Sequence, residues 1–274
     1  MLCIVAIIFL LLSSPIEADT LRVVSLYPGH SDNIYAMGGG SMLVALSEND
    51  DDDLLPSLPR VSLRSGAEKL LSLRPDVVIT RSFAERINPN LYDVLRRAGV
   101  KVLVVDPPEW DNFPEYLKTL AEALNLNPDD AIAKLNAIIS CIRARALTTD
   151  RPRVFLEATS RELHTCAGNS WADRLIDLAG GVNIAGEAKP LRPGSSIAAF
   201  GVERVLKSAG NIDIYLIQTG AMNNSHTQDF YAREWTKVLR SVKVAEIPER
   251  YISRPSLLGL ERGGNELIKI FRGE

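Results

Sequence analysis

The sequence has few of the residues that build metal or redox centres. Its 274 residues include three cysteines and three histidines. It contains no Cys-x-x-Cys or His-Glu-x-x-His motif, no Gly-x-Ser-x-Gly nucleophile elbow and no phosphate loop ending in Gly-Lys-Ser/Thr. No spaced cluster of His, Cys, Asp and Glu marks a complete metal site. The common hydrolase, nucleotide-binding and metalloenzyme classes therefore find no support, although many active sites leave no local signature.

The sequence also lacks a strong charge of either sign. Lys and Arg total 31 against 34 Asp and Glu, a formal net charge of −3. No basic stretch has interleaved aromatic residues, so nucleic acid is not an expected partner. One acidic run, residues 50–53, lacks the spaced ligands and the glycine of an EF-hand loop. We interpret it as a solvated loop.

No apolar run is long enough to cross a membrane as a helix, which takes about 20 residues. Residues 1–12 have the length of the apolar part of a secretory signal peptide, and a Ser-Ser-Pro break follows before Ala18. No Lys or Arg precedes the run, so a buried N-terminal strand is the alternative. We predict a signal peptide over residues 1–18 and a soluble, periplasmic mature protein. Its cysteines, Cys141 and Cys166, either pair or remain free thiols.

In the rest of the chain, one pattern of strand, helix, loop, helix and strand occurs twice. The first copy has strand candidates at 22–26 and 77–79, a helix stop at Gly38-Gly39-Gly40 and a helix start at Gly66. It continues through a helix at 90–98 and a strand at 101–105. The second copy has strands at 153–156 and 212–217, a helix at 171–179 and a helix start at Gly201. This alternation predicts β–α units and mainly parallel sheets.

A long helical pattern joins the two copies. Apolar residues recur at helical spacing over 129–147, Pro128 suits a helix start and Pro152 ends the segment. At 1.5 Å per residue this helix would be about 28 Å long, which restrains the lobes to a modest opening motion. We predict an N-terminal α/β lobe (19–127), a connecting helix (128–149) and a C-terminal α/β lobe (150–274). A ligand cleft is expected between the lobes.

Six segments, in this order and spacing, carry a family resemblance: 22–28, 58–61, 68–79, 99–102, 178–183 and 201–206. Together they resemble the helical-backbone (class III) periplasmic binding proteins of ABC importers, which carry ferric siderophores, cobalamin and haem. The resemblance implies two Rossmann-like lobes, a transport function rather than catalysis and no intrinsic cofactor. It also implies a monomer that delivers its ligand to a permease dimer.

Two glutamates hold equivalent places in the two copies. The resemblance implies that Glu68 and Glu203 dock on arginines of the permease, and paired carboxylates suit such positive pockets. For Glu68 the alternative is a capping box with Ser65. The residue three before Glu203 is Phe200, which cannot cap, so that alternative fails in the second copy.

Ligands of parallel sheets meet the loops at the carboxyl ends of the strands. Several arginines in these loops would suit an anionic ligand, with a surface ion pair as the alternative for each. Trp171 either stacks on a planar ligand or belongs to the core. His30 and His164 are possible metal ligands, with Tyr27 or Tyr251 as further ligands of haem iron, or they are ordinary pocket residues. The candidate ligand-binding residues are Tyr27, His30, Arg64, Arg81, His164, Trp171, Tyr251 and Arg254.

Three functions follow from these observations. The first is a binding protein for an iron chelate, a corrinoid or haem. The second is a binding protein for a bare metal ion or an oxyanion, which a cleft crowded with carboxylates and imidazoles would favour. The third is an α/β enzyme that has kept the two-lobed shape, and turnover of a ligand would reveal it.

Overall fold

The computed structural model describes residues 20–51 and 53–274, so the predicted signal peptide lies outside the described residues. The strands are β1 (Val23–Ser25), β2 (Leu43–Ser47), β3 (Arg60–Val61), β4 (Val77–Thr80), β5 (Lys101–Val104), β6 (Arg153–Glu157), β7 (His164–Cys166), β8 (Val182–Asn183), β9 (Ile197–Ala199), β10 (Ile214–Thr219) and β11 (Lys243–Pro248). The α-helices are α1 (Pro28–Ile34), α2 (Ala67–Ser72), α3 (Ser82–Ile87), α4 (Pro89–Arg97), α5 (Phe113–Ala123), α6 (Pro128–Arg145), α7 (Trp171–Leu178), α8 (Val202–Lys207), α9 (Thr227–Ala232), α10 (Glu249–Ile252) and α11 (Leu257–Arg272).

The first lobe is built on a five-stranded sheet in the order β3-β2-β1-β4-β5. Every neighbouring pair in it is parallel. The central strands β1 and β4 consist of buried residues, mostly valine and isoleucine. Apolar strands without alternation are typical of a parallel sheet that is covered on both faces by helices.

The second lobe is built on a four-stranded sheet in the order β11-β10-β6-β8, also parallel throughout. A short antiparallel pair, β7 with β9, is added beside it. The prediction of two α/β lobes with mainly parallel sheets is confirmed. The lobe boundaries at 127 and 150 remain predictions.

Glycines end helices where the sequence predicted stops. Gly38 has φ of +90° and Gly180 has φ of +92°, backbone conformations that residues with a Cβ rarely adopt. At Gly180 there is also no room, since a Cβ would lie 2.5 Å from the backbone nitrogen of Leu147. The turn after α7 therefore packs directly on the segment that follows the connecting helix.

The connecting helix α6 begins at Pro128, as predicted, and ends at Arg145, four residues before the predicted end at 149. The side chain of Asn127 accepts a hydrogen bond from the backbone N–H of Asp129 at 3.0 Å and caps its start. Leu135, Ile138 and Ile142 are buried in a core that also includes residues of both sheets. The helix packs on α5 and α11. In the described part of the chain, none of the helices is both long and apolar enough to span a bilayer.

Candidate functional site

A cavity of about 790 Å³ lies between the two lobes, at the carboxyl ends of their strands. The first lobe supplies residues that end or follow each of its five strands, and the second lobe supplies loops around β7, β8, β10 and β11. The lining residues are Leu26, Tyr27, Pro28, Ser47, Asn49, Leu63, Arg81, Pro107, Pro108, Glu109, 167–171, Pro190, Arg192, 194–197, Ala221, Met222, Glu249 and 253–255.

Topology explains why two of the predicted residues meet in this cavity. In the first sheet the chain leaves β1 towards β2 on one side, while β4 flanks β1 on the other. Loops part at such a switch point and leave a crevice. Tyr27 follows β1 and Arg81 follows β4. The guanidinium carbon of Arg81 lies 4.5 Å from the centre of the Tyr27 ring, a cation–π contact on the cavity wall.

The Tyr27 ring is held by the backbone beneath it. A Cβ on Gly29 would lie 2.5 Å from Cε1 of Tyr27, so the ring position requires glycine there. Burial raises the pKa of Tyr27 above its usual value of 10.0, although the neighbouring Arg81 opposes the rise. The hydroxyl therefore stays protonated at neutral pH.

Trp171 occupies the inner edge of the cavity at the start of α7. It is 5% exposed and packs against Trp110 and Phe113, with ring centres 4.8 and 4.9 Å apart. The residue thus packs in the core and also lines the cavity. Stacking of Trp171 on a planar ligand remains a prediction.

Arg254 also lines the cavity, but its charge is already compensated. Its Nη1 atom lies 2.6 Å from Oδ2 of Asp51 and 3.4 Å from Oδ2 of Asp32. Its side chain is 14% exposed, so water screens these pairs little. Arg254 is therefore not a free anion-binding cation.

The remaining charges on the wall nearly cancel. Arg81 and Arg192 form no ion pair with the described residues, while Glu109 and Glu249 bring two carboxylates to the same cavity. Oε2 of Glu249 accepts a hydrogen bond from the backbone N–H of Met222 at 3.0 Å. Neutral hydrogen-bonding side chains fill much of the rest: Ser47, Asn49, Asn169, Ser170, Ser195, Ser196 and Ser253. The wall suits a large polar ligand without strong net charge.

Both histidines lie outside the lining of the cavity. His30 is fully buried below the wall, where its Nδ1 lies 2.6 Å from the hydroxyl of Tyr116. Burial, with Arg81 nearby, lowers the pKa of His30 from 6.5 to about 3. His164 begins β7 and lies 3.3 Å from a carboxylate oxygen of Glu162. Helix α1 turns the side chain of His30 inward, away from the cavity. The pairing of β7 with β9 holds His164 outside the cavity as well.

Arg64 and Tyr251 also lie outside the cavity. Arg64 is exposed in the turn after β3, while its neighbour Leu63 reaches the wall. Tyr251 lies under Arg250, whose guanidinium carbon is 5.0 Å from the ring centre. Its position on α10 turns the ring towards a smaller hollow beside the cleft.

Among residues 20–51 and 53–274, no group of three or more His, Cys, Asp and Glu side chains is arranged to hold a metal ion. Cys141 is exposed on α6 and Cys166 is buried, and both are free. Burial raises the pKa of the Cys166 thiol from 9.0 to about 12, which leaves it unreactive as a nucleophile.

Glu68 and Glu203 are both exposed in the first turns of short helices, α2 and α8. Each helix precedes a parallel strand, so both first turns lie at the sheet edge that faces the cavity. The cap of α2 is Gly66, and Ser65 instead accepts a hydrogen bond from the backbone of Ser62 at 3.2 Å. The capping box considered for Glu68 is therefore not formed.

Several cavity residues were missed by the sequence analysis. Ser47 ends β2 and Asn49 lies in the loop that follows, and this strand was not predicted. Arg192, Ser195 and Ser196 come from the loop between β8 and β9, and none of them was among the predicted ligand-binding residues. Asp32 and Asp51 reach the site only through their pairing with Arg254, some 200 residues away in the chain. A strand at 43–47 could have been found from its apolar run.

The sequence matches the profile of a known family over residues 23–250, described as periplasmic binding protein. The chain belongs to the periplasmic binding protein family. The predicted family is thus confirmed, and because its members are substrate-binding proteins, so is the prediction that the chain is not an enzyme. A vitamin B12-binding protein of Yersinia pseudotuberculosis is 27% identical over 191 residues, 68% of this chain and 67% of the relative.

Solved structures share the fold of this periplasmic binding protein. A periplasmic haem-binding protein of Vibrio cholerae superposes with a TM-score of 0.73 and 18% identity, over 92% of this chain and 98% of its own. A periplasmic vitamin B12-binding protein of the same organism gives a TM-score of 0.63 and 23% identity, again over 92% and 98%. At these identities the comparison establishes the two-lobed fold.

Proposed function

We propose that this protein is the substrate-binding component of an ABC importer for a large metal complex, with a corrinoid as its cargo. The observation that carries the proposal is the inter-lobe cavity of about 790 Å³, whose free charges nearly cancel. A cavity of this volume lies within the usual range for small-molecule sites, about 300–1,000 Å³. The vitamin B12-binding relatives support the same cargo.

The charge of the wall favours a corrinoid over the other two cargo classes. A corrinoid presents amide groups around its ring, whereas haem presents propionates and many ferric siderophores are anionic. Buried carboxylates on a ligand call for unpaired cations, preferably arginines. Here Arg81 and Arg192 are balanced by Glu109 and Glu249, while serines and asparagines offer neutral hydrogen bonds to amides.

Equilibrium titration of the purified mature protein tests the cargo. Cyanocobalamin should bind with a dissociation constant of about 1 μM or tighter, and haemin and ferric catecholates should bind at least about tenfold more weakly. Intrinsic tryptophan fluorescence can follow binding, because Trp171 lies at the cavity. Preferred binding of haemin, or of a ferric siderophore, would reject the corrinoid but keep the importer function.

Haem is the second candidate, for one specific reason. Tyr27 lines the cavity beside Arg81, and a tyrosinate can ligate ferric haem iron. Haemin should then give a Soret spectrum typical of tyrosinate ligation, which Tyr27→Phe abolishes. If haemin gives the same spectrum with the wild type and with Tyr27→Phe, coordination by Tyr27 is excluded.

Glu68 and Glu203 are proposed to dock the protein on its permease. Their support is exposure, equivalent positions at the two sheet edges and the absence of any ion pair with the described residues. Charge reversal, Glu68→Lys with Glu203→Lys, should abolish uptake in cells and leave ligand affinity unchanged. Reversal of the exposed Glu122 and Glu261 on other helices is the matched control. Loss of affinity in the Glu68 and Glu203 variant would contradict the assignment.

The location of the protein follows from the same proposal. It is exported to the periplasm, cleaved near Ala18 and acts there as a soluble monomer. The mass of the secreted protein gives the cleavage site directly. A mass that retains residues 1–18 would contradict cleavage.

A further inference from the structure

A cluster of ion pairs joins the two lobes beside the cavity. Nη1 of Arg254, in the loop after α10, lies 2.6 Å from Asp51 and 3.4 Å from Asp32. Nη1 of Arg250, on α10, lies 2.6 Å from Asp53. The aspartates belong to α1 and to the loop after β2, so every pair connects the first lobe with the second.

The central pair of this cluster is sheltered from water. The side chains of Arg254 and Asp32 are 14% and 8% exposed, and that of Asp51 is 26% exposed. Asp32 also accepts a hydrogen bond from the hydroxyl of Ser256 at 3.2 Å. Charge pairs in such surroundings are weakly screened by salt. The aspartates therefore fix both the position and the effective charge of Arg254.

Neutral hydrogen bonds cross between the lobes at the same place. The amide nitrogen of the Asn33 side chain donates to the carbonyl of Pro255 at 3.2 Å. The side-chain oxygen of Asn33 accepts from the backbone N–H of Leu257 at 2.9 Å. Helix α1 is thus bound to the segment that directly follows Arg254, at the start of α11. Charged and neutral contacts therefore join the two lobes at the same place beside the cavity.

Resting on the proposed binding function, we infer that Asp32 and Asp51 are specificity-determining residues. They hold Arg254 as a charge-compensated tie between the lobes, and the cleft therefore gives no advantage to a ligand with an extra negative charge. Without them, Arg254 would present a free cation to the cavity that it lines.

The test uses two ligands that differ by one charge. Cyanocobalamin and a cyanocobalamin monocarboxylate, in which one peripheral amide is a carboxylic acid, have nearly the same size and shape. Asp51→Asn keeps the shape of the side chain and removes its charge. It should raise the affinity for the monocarboxylate relative to cyanocobalamin on the order of tenfold, because each 1.4 kcal/mol is a factor of ten.

Two variants make this result specific. Asp51→Asn combined with Arg254→Gln should lose the gain, since the uncovered cation is gone. Asp213→Asn also removes one negative charge, but its pair with Arg153 at 2.8 Å lies within the second lobe. That variant should keep the wild-type ratio of affinities. An unchanged ratio in Asp51→Asn, or the same gain in Asp213→Asn, would overturn the inference.

A measurement without ligand tests whether the ion pairs of Arg254 restrain the two lobes. Spin labels at Ile87→Cys and Tyr231→Cys, both exposed and one on each lobe, report the inter-lobe distance in a Cys141→Ser background. Asp51→Asn should broaden the distance distribution, and Asp213→Asn should not. An unchanged distribution in Asp51→Asn would show that the pairs do not restrain the lobes. This result stands whichever ligand binds, so failure of cyanocobalamin to bind would reject the corrinoid cargo alone.

Discussion

The buried ion pair between Glu157 and Arg233 should dominate the stability of the second lobe. Glu157 ends β6 and is fully buried, while the Arg233 side chain is 20% exposed. The guanidinium donates to both carboxylate oxygens, at 2.6 and 3.0 Å. The Tyr215 hydroxyl donates to the same carboxylate at 2.6 Å, and the side chain of Asn223 donates to it at 3.3 Å.

Glu157→Gln keeps the size of the side chain and removes its charge. Arg233 is then left largely buried without a counter-ion, and breaking such a pair costs about 3–5 kcal/mol. Because Arg233 retains some contact with water, we expect the lower end, about 3 kcal/mol. For a chain of this length that corresponds to a fall in Tm of roughly 6–12 °C.

Thermal unfolding followed by circular dichroism measures this change. Glu234→Gln is the matched control, because Glu234 pairs with Lys237 at the surface, where its side chain is 84% exposed. Exposed pairs contribute little to stability, so the control should unfold close to the wild type. Equal Tm values for Glu157→Gln and Glu234→Gln would refute the assigned importance of the buried pair.

Three further predictions concern acid stability, the cavity wall and the cysteines. Burial, with Arg81 nearby, lowers the pKa of His30 from 6.5 to about 3, so between these values the unfolded chain holds a proton that the folded chain does not. This contribution to the free energy of unfolding is present above pH 6.5 and is lost towards pH 3, by ~1.4 kcal/mol per pH unit. Between pH 7.5 and pH 5, the free energy of unfolding measured in urea should therefore fall less in His30→Gln than in the wild type. Gly29→Ala places a Cβ 2.5 Å from the Tyr27 ring and should weaken cyanocobalamin binding about tenfold in titrations, whereas Gly66→Ala, with open space around its Cβ, should not. A thiol reagent at pH 8 should modify Cys141 and spare Cys166 in the folded mature protein, and mass spectrometry that finds both modified would contradict the burial of Cys166.

The β–α repeat was predictable because its signals are local. Strands β1, β4, β6 and β10 are short apolar runs, and glycines end the helices between them. Helix α11 was missed although it is 16 residues long, because Gly263 and Gly264 interrupt its pattern. Both glycines permit close packing, since a Cβ on Gly264 would lie 2.4 Å from Cδ1 of Ile142. Packing between distant helices cannot be recognised from local spacing.

The site was predictable only where topology alone decides position. Tyr27 and Arg81 were both predicted to line the cleft because each follows a parallel strand, and the two strands prove to be neighbours in the sheet. The interpretation of residues 50–53 as a solvated loop was wrong for Asp50 and Asp51, whereas Asp53 is exposed. Asp50 is 6% exposed and burial raises the pKa of its carboxyl to about 7, while Asp51 pairs with Arg254. The partners of Asp51 and Asp53 are Arg254 and Arg250 of the other lobe, so no local pattern indicates these pairs.

Transport of a large metal complex in the cleft is tested most directly by native mass spectrometry together with absorbance spectra, on protein secreted by its own host. We expect a co-purifying coloured ligand with a corrinoid band and a matching mass increase. A colourless protein that shows no thermal shift with corrinoids, haem or ferric chelates would contradict it.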